Sequence, residues 1–177
     1  MTDRDSKDFP QPPPAEPLST ELVRDAALNW LAHDGLWFRA VEDRFGLETA
    51  IELDRIAWES FTVIEAKRIL KRLGLQPGGG IPALARALGA RLYARINEQE
   101  ITEMSATRLV FRMKSCRVQE ARHRQGLGDF PCKPVGLVEY GDFARTIDPR
   151  IKTACLSCPP DPRTGGAWCI WEFRLED

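Results

Sequence analysis

A chain of 177 residues with 43% hydrophobic and 29% charged side chains has the make-up of a soluble globular domain able to bury one continuous core. Its formal net charge of -1 gives no global attraction to nucleic acid or to an anionic membrane, and no apolar run approaches the length of a bilayer span. The opening residues MTDRDSKDF are charged where a secretory signal is apolar, so a cytoplasmic protein is expected.

Residues 1–18 contain FPQPPPAEP and almost no apolar anchor, which predicts a disordered, partly polyproline arm ahead of a single domain over 19–177. The helical half of that domain is expected over 19–97. Ser19 or Thr20 can cap a first helix with Leu22, Val23, Ala27 and Trp30 on one face. Gly35 is expected to interrupt it, leaving LWFRAVEDRF as a second short helix that stops at Gly46. A third runs from about Glu48 to Leu73 and ends at Gly74, the residue type that best tolerates a left-handed cap. Ala50, Leu53, Ile56, Ala57, Phe61, Val63 and Ile64 form its broad apolar face. The GGG that follows has no Lys-Ser or Lys-Thr after it, so it reads as a loop and not as a phosphate cradle. A fourth helix should begin near Pro82 and continue towards Ile96.

The pattern then changes to a cysteine-bearing sheet half over 98–177. EQEITEM and RLVFRM alternate around SAT as a hairpin would. SCRVQEARHRQG is a short basic helix capped by Ser115, and KPVGLVEYGDFART a helix with Pro134 near its start. IKTACLS and AWCIWEFRL close the chain as two strands. The expected fold class is α+β, a helical N-terminal half packed on a small antiparallel sheet with additional short helices.

All five cysteines lie between residues 116 and 169, spaced Cys-x15-Cys-x22-Cys-x2-Cys-x10-Cys. In a reducing compartment such spacing reads as metal-binding or catalytic more readily than as a disulfide framework. Cys116 and Cys132 are each placed at the start of a helix, where the dipole and free amides favour the thiolate. With Cys155 and Cys158 they make a four-thiol ligand set for zinc or an iron-sulfur cluster. Cys169 is a fifth ligand or a core residue sharing a strand face with Trp171 and Phe173. The Cys158-Pro159 step tips the choice of cofactor towards iron-sulfur. Two other readings stay open. The thiols can be buried as small hydrophobes, or Cys155 and Cys158 can be a redox pair, although no thioredoxin-like βαβ pattern surrounds them.

A second candidate site lies on the long third helix. Asp54, Trp58, Phe61 and Glu65 recur at steps of four, three and four, with Arg68 one turn past Glu65, so carboxylates and aromatics share one side. Asp34 and Trp37 can join them if the preceding helix folds back. Asp54, Glu65 and Arg68 are thus candidate catalytic residues of a small-molecule hydrolase or lyase, with Trp58 and Trp37 lining the pocket. A carboxylate held against tryptophan in a dry cleft has a raised pKa suited to acid–base work. Equally, Trp58 is core and Glu65–Arg68 a surface pair. His33 and His123 lack a ligand-like partner spacing. The basic segment KSCRVQEARHR has no aromatic platform, so no nucleic-acid partner is expected, while a small-molecule ligand is.

HDGLWFRAVEDRFGLETA, WESFTVIEAKR and the stretch from CRVQEARHRQGLGDFPCKPV to TACLSCPPD resemble a family of small uncharacterised bacterial cytosolic proteins. That family is distantly similar to the aminothiazoline-carboxylate hydrolases and to the four-cysteine vinyl-reductase-type ligand-binding domain. The resemblance implies an α+β fold with a cysteine-lined small-molecule or metal site.

Overall fold

The structure, a computed structural model, describes residues 20–176. The Pro-rich arm and Ser19 lie outside the described residues. Helix α1 (Thr20–Phe45) runs unbroken through Gly35, against the expected interruption. A glycine in a helix costs only about 1 kcal/mol relative to alanine. Trp30 and Phe38, on either side of Gly35, pack into one aromatic cluster with Trp58, Tyr93 and Phe130, which holds the helix together across it. The chain reverses instead at Gly46, whose φ of 88° suits glycine, into α2 (Leu47–Leu73). At the other end of α2, Gly74 takes the expected left-handed conformation, and Leu75 N–H closes the last turn on the Leu70 carbonyl at 3.0 Å.

The buried face of α2 is not the one the apolar residues outline. Ala50, Trp58, Thr62, Ala66, Ile69 and Leu70 are buried, while Leu53, Ile56 and Ile64 are exposed. The neighbour that decides this is α5 (Lys133–Ile147), which packs along α2 through small residues and a polar contact: Thr62 Oγ1 donates to the Glu139 carbonyl at 2.9 Å. Close approach of two helices selected Thr62 and Ala66 over larger side chains one position away. Helix α3 (Gly80–Leu88) is shorter than expected; it stops at Gly89, and a 3-10 turn over Leu92–Arg95 carries the chain on.

Strands β1 (Gln99–Met104) and β2 (Arg108–Met113) form the predicted hairpin. After α4 (Arg117–Arg124) and α5 come β3 (Ile151–Ser157) and β4 (Cys169–Leu175). All pairs are antiparallel, in the order β1-β2-β4-β3. The register opposes Met113 to Cys169, Phe111 to Trp171 and Leu109 to Phe173, so these six stand on one face and build the core with Phe143, Ile147 and Leu84. Gly136 lets α5 lie on that face: a Cβ there would stand 2.6 Å from Trp171 Cζ2. The fold is α+β, with the helical half N-terminal and the sheet in the C-terminal half.

Candidate functional site

The sheet register and two helix starts bring the cysteines together. Cys116 and Cys132 are the N-caps of α4 and α5, Cys155 lies on β3, Cys158 directly follows it, and Cys169 opens β4. Ser115 is not the cap of α4. Its Oγ accepts the Glu98 N–H at 2.6 Å, and Asn97 Oδ1 accepts the Arg117 N–H at 3.0 Å. Cys132 Sγ and Cys158 Sγ are 3.5 Å apart, and Cys158 also lies within hydrogen-bonding reach of Cys155 and Cys169. Gln119 Nε2 donates to Cys132 Sγ at 3.6 Å. All five are free thiols. As they stand, no group of three or more His, Cys, Asp or Glu side chains among the described residues is arranged to hold a metal ion.

Burial reverses the effect expected of the helix start at Cys116. It pushes this thiol up to about 12, and hydrogen bonds from the Gln119 and Val118 backbone offset only part of the rise. Cys155 moves the other way. Its thiol is pulled below its ordinary value, chiefly by the hydrogen bond from Cys158, with Lys133 adding a positive charge against the cost of burial. Cys158 is raised by its bonds to Cys132, Cys155 and Cys169, so of this pair Cys158 holds its proton and Cys155 gives one up more readily. Lys133 is itself fixed by Asp161, at 2.8 and 3.1 Å.

Cys116, Cys132, Cys158 and Cys169 line a cavity of about 150 Å³. Its walls are the rings of Phe38, Trp58, Tyr93, Phe130, Tyr140 and Trp171, and its lining also includes three carboxylates, Asp34, Asp54 and Glu139. The volume is that of an engineered cavity that accepts benzene, so one small ring fits. Cys155 is not on the lining.

The carboxylates are strongly perturbed. Asp54 is pushed up from 3.8 to about 7, first by burial and then by the charges of Asp34 and Glu139, against a hydrogen bond with Trp58. Burial also raises Asp34 and Glu139. Behind Glu139 stands Arg91, 2% exposed, with Nε donating to Glu65 Oε2 at 2.8 Å and Nη1 2.7 Å from Glu139 Oε1. The second pair meets charge to charge but off the axis of a hydrogen bond, leaving Glu139 Oε1 and Arg91 Nη2 without hydrogen-bond partners. Trp58, Tyr93, Tyr140 and Phe143 surround this guanidinium at 4.8–5.8 Å.

A protein family of unknown function, DUF6125, matches residues 16–175. The chain belongs to DUF6125. No curated protein and no solved structure matches it. Membership of DUF6125 therefore brings a family but no activity, substrate or cofactor to the cavity. No helix among the described residues is long and apolar enough to cross a membrane.

The two sites read separately from the sequence of this DUF6125 chain thus meet in one cavity, but not with every residue expected there. Asp54 and Trp58 line it, and Asp34 joins them across the α1–α2 hairpin. Trp37 does not: it is 69% exposed on the outer side of α1, and the cavity is lined by Phe38, one residue on. Arg68 is exposed on α2, and Glu65 turns to Arg91 instead of pairing with it. Arg91, Glu139, Tyr93 and Tyr140 were missed. Each follows an ordinary helical or turn pattern, and they become neighbours only where the 3-10 turn carrying Arg91 and Tyr93 meets α2 and α5. The histidines stay outside, His33 exposed and His123 exposed beside Asp129 at 2.6 Å.

Proposed function

We propose that the cysteine group is a metal–thiolate centre, holding zinc or an iron-sulfur cluster, at one end of a ligand-sized cavity. Cys116, Cys132, Cys158 and Cys155 are the ligands, with Cys169 as the alternate fifth. The convergence on Cys158 carries the reading. Two thiolates on one tetrahedral zinc, with zinc–sulfur bonds of ~2.3 Å, stand about 3.8 Å apart, close to the 3.5 Å between Cys132 and Cys158. A buried set of thiolates needs compensating groups, and donors are at hand: Gln119 Nε2, the amides that start α4, the Lys133 charge, and Trp171 Nε1, buried on the cavity wall without a partner. The protonated set present here is not arranged around an ion, so loading requires loss of the thiol protons and rotation of the side chains towards a common point.

The test is the metal content and absorption spectrum of the full chain purified anaerobically. Zinc, or iron with sulfur-to-iron charge-transfer bands, is expected, and Cys132→Ser and Cys158→Ser should each lose it. A folded wild type that carries neither metal and takes up neither zinc nor cobalt would end the reading.

Asp54 favours a second reading, a hydrolase or lyase acting on a small heterocyclic or amide-like substrate. A carboxyl that ionises near pH 7 exchanges protons efficiently at neutral pH. In this reading Asp54 touches substrate, Glu65 acts only by holding Arg91, and exposed Arg68 has no part. Turnover of small cyclic amides or amidines with an inflection near pH 7, abolished in Asp54→Asn, supports it. A profile that keeps this inflection in the variant removes Asp54.

A further inference from the structure

The charges around the cavity do not balance. Arg122 lines it but is held by both oxygens of Glu42, at 2.8 and 3.1 Å, and Arg39 is held by Glu42 at 2.9 Å and Asp43 at 2.6 Å. Arg91 stands between Glu65 and Glu139 and is not on the lining, so an anion in the cavity gains no direct contact with it. Asp34 and Asp54 face the cavity with no arginine or lysine paired to them in the salt bridges described. Glu139 is on the lining too, but its Oε1 is 2.7 Å from Arg91, which also holds Glu65, so one positive charge serves two carboxylates there. Around these oxygens are aromatic faces, and aromatic faces attract cations. Trp58 and Tyr93 stack nearly parallel, with centroids 6.0 Å apart.

From this we infer that the cavity binds a small one-ring organic cation, an amine- or amidine-bearing ring. Its charge lies at Asp34 and Asp54, and its ring lies among Phe38, Trp58 and Tyr93. The size limit comes from the volume, the sign from the uncompensated carboxylates, and the planarity from the rings. None of these groups is a cysteine, so the site is formed without a metal on the sulfurs, whose charge would only raise its affinity for a cation.

The experiment titrates the full chain, as purified, with three probes of one size: 4-aminopyridinium, neutral aniline and anionic benzoate. Binding is read by calorimetry and by quenching of tryptophan emission. The cation should bind about tenfold or more tighter than aniline, and benzoate should be weakest. Asp54→Asn, which keeps shape while removing charge, should erase most of that preference and leave aniline unchanged. Asp34→Asn gives a second variant should the first fold poorly. Aniline binding as tightly as the cation, benzoate binding tightest, or no saturable binding of any probe up to about 10 mM would overturn the inference. Metal content measured on the same samples separates the two proposals, since loss of one result leaves the other standing.

Discussion

Asp54→Asn should change how stability depends on pH, in a direction fixed by its environment. The folded carboxyl ionises at about 7, against 3.8 for the ordinary group. Between those values the folded state binds a proton that the unfolded chain has released, so stability falls as pH rises through this window. Taking ~1.36 kcal/mol per tenfold in proton affinity, the penalty is about 1.7 kcal/mol at pH 5 and about 4.3 kcal/mol at pH 8. The difference, about 2.6 kcal/mol, is discounted to about 2 kcal/mol because part of the side chain still meets water. The asparagine variant has no such penalty and can still accept the Trp58 hydrogen bond. Its advantage over the wild type should therefore grow by about 2 kcal/mol between pH 5 and pH 8 in urea unfolding, or by about 4–8 °C in melting temperature. Asp34 and Glu139 titrate in both proteins, so comparing the two isolates Asp54 and its coupling to them. A difference that stays flat from pH 5 to pH 8, or shrinks, would refute the account of the cavity as dry and negatively charged.

Arg91→Met should cost about 3–5 kcal/mol at neutral pH, because it leaves two carboxylates without their buried counter-charge; equilibrium unfolding checks this, and the loss should shrink in a Glu65→Gln, Glu139→Gln background. Gly136→Ala forces a methyl to within 2.6 Å of Trp171 and should destabilise by about 1–3 kcal/mol. Gly35→Ala meets nothing within 4 Å in a helix that continues through it, so it should raise stability by up to about 1 kcal/mol.

What the sequence made legible is what local pattern encodes. The α2 end at Gly74, the β1–β2 hairpin and the two terminal strands follow from turn residues and alternation, and so does the placing of Cys116 and Cys132 at helix starts. The errors occur where tertiary packing overrides local preference. Gly35 reads as a break because its cost is local, whereas the aromatic cluster that overrides it is assembled from four separate segments. The apolar face of α2 was drawn through Leu53, Ile56 and Ile64 because hydrophobicity was taken to mark burial. Contact with α5 instead required residues small enough for the two helices to approach, and Thr62 and Ala66 meet that need. For the same reason Arg68 looked like the partner of Glu65: i,i+3 spacing is visible in sequence, whereas a partner 26 residues away at Arg91 is not. Trp37 and Phe38 differ by one position, about 100° around the helix, and that rotation separates an exposed ring from a cavity wall.

The two ends of the cavity cannot be independent, because charge at one is felt at the other. Four thiolates around one zinc carry a net charge of about −2, where the protonated thiols carry none. That charge would share one small cavity with Asp34 and Asp54, in surroundings where aromatic walls leave little water to screen it. Loading the sulfur end therefore opposes ionisation of Asp54 and moves its pKa further up, while it strengthens the hold on a cation between the two ends. A cation bound among the carboxylates does the reverse to Asp54, drawing its pKa down by favouring the ionised form. With both proposed occupants bound, the proton on Asp54 would be governed jointly by metal and ligand, and reciprocity would require it to bias the binding of both. An ionisable group placed between two such charges is poorly suited to a purely structural role, because its state changes with each of them. It is well suited to transferring a proton to or from whatever occupies the ring-sized space between the sulfurs and the carboxylates.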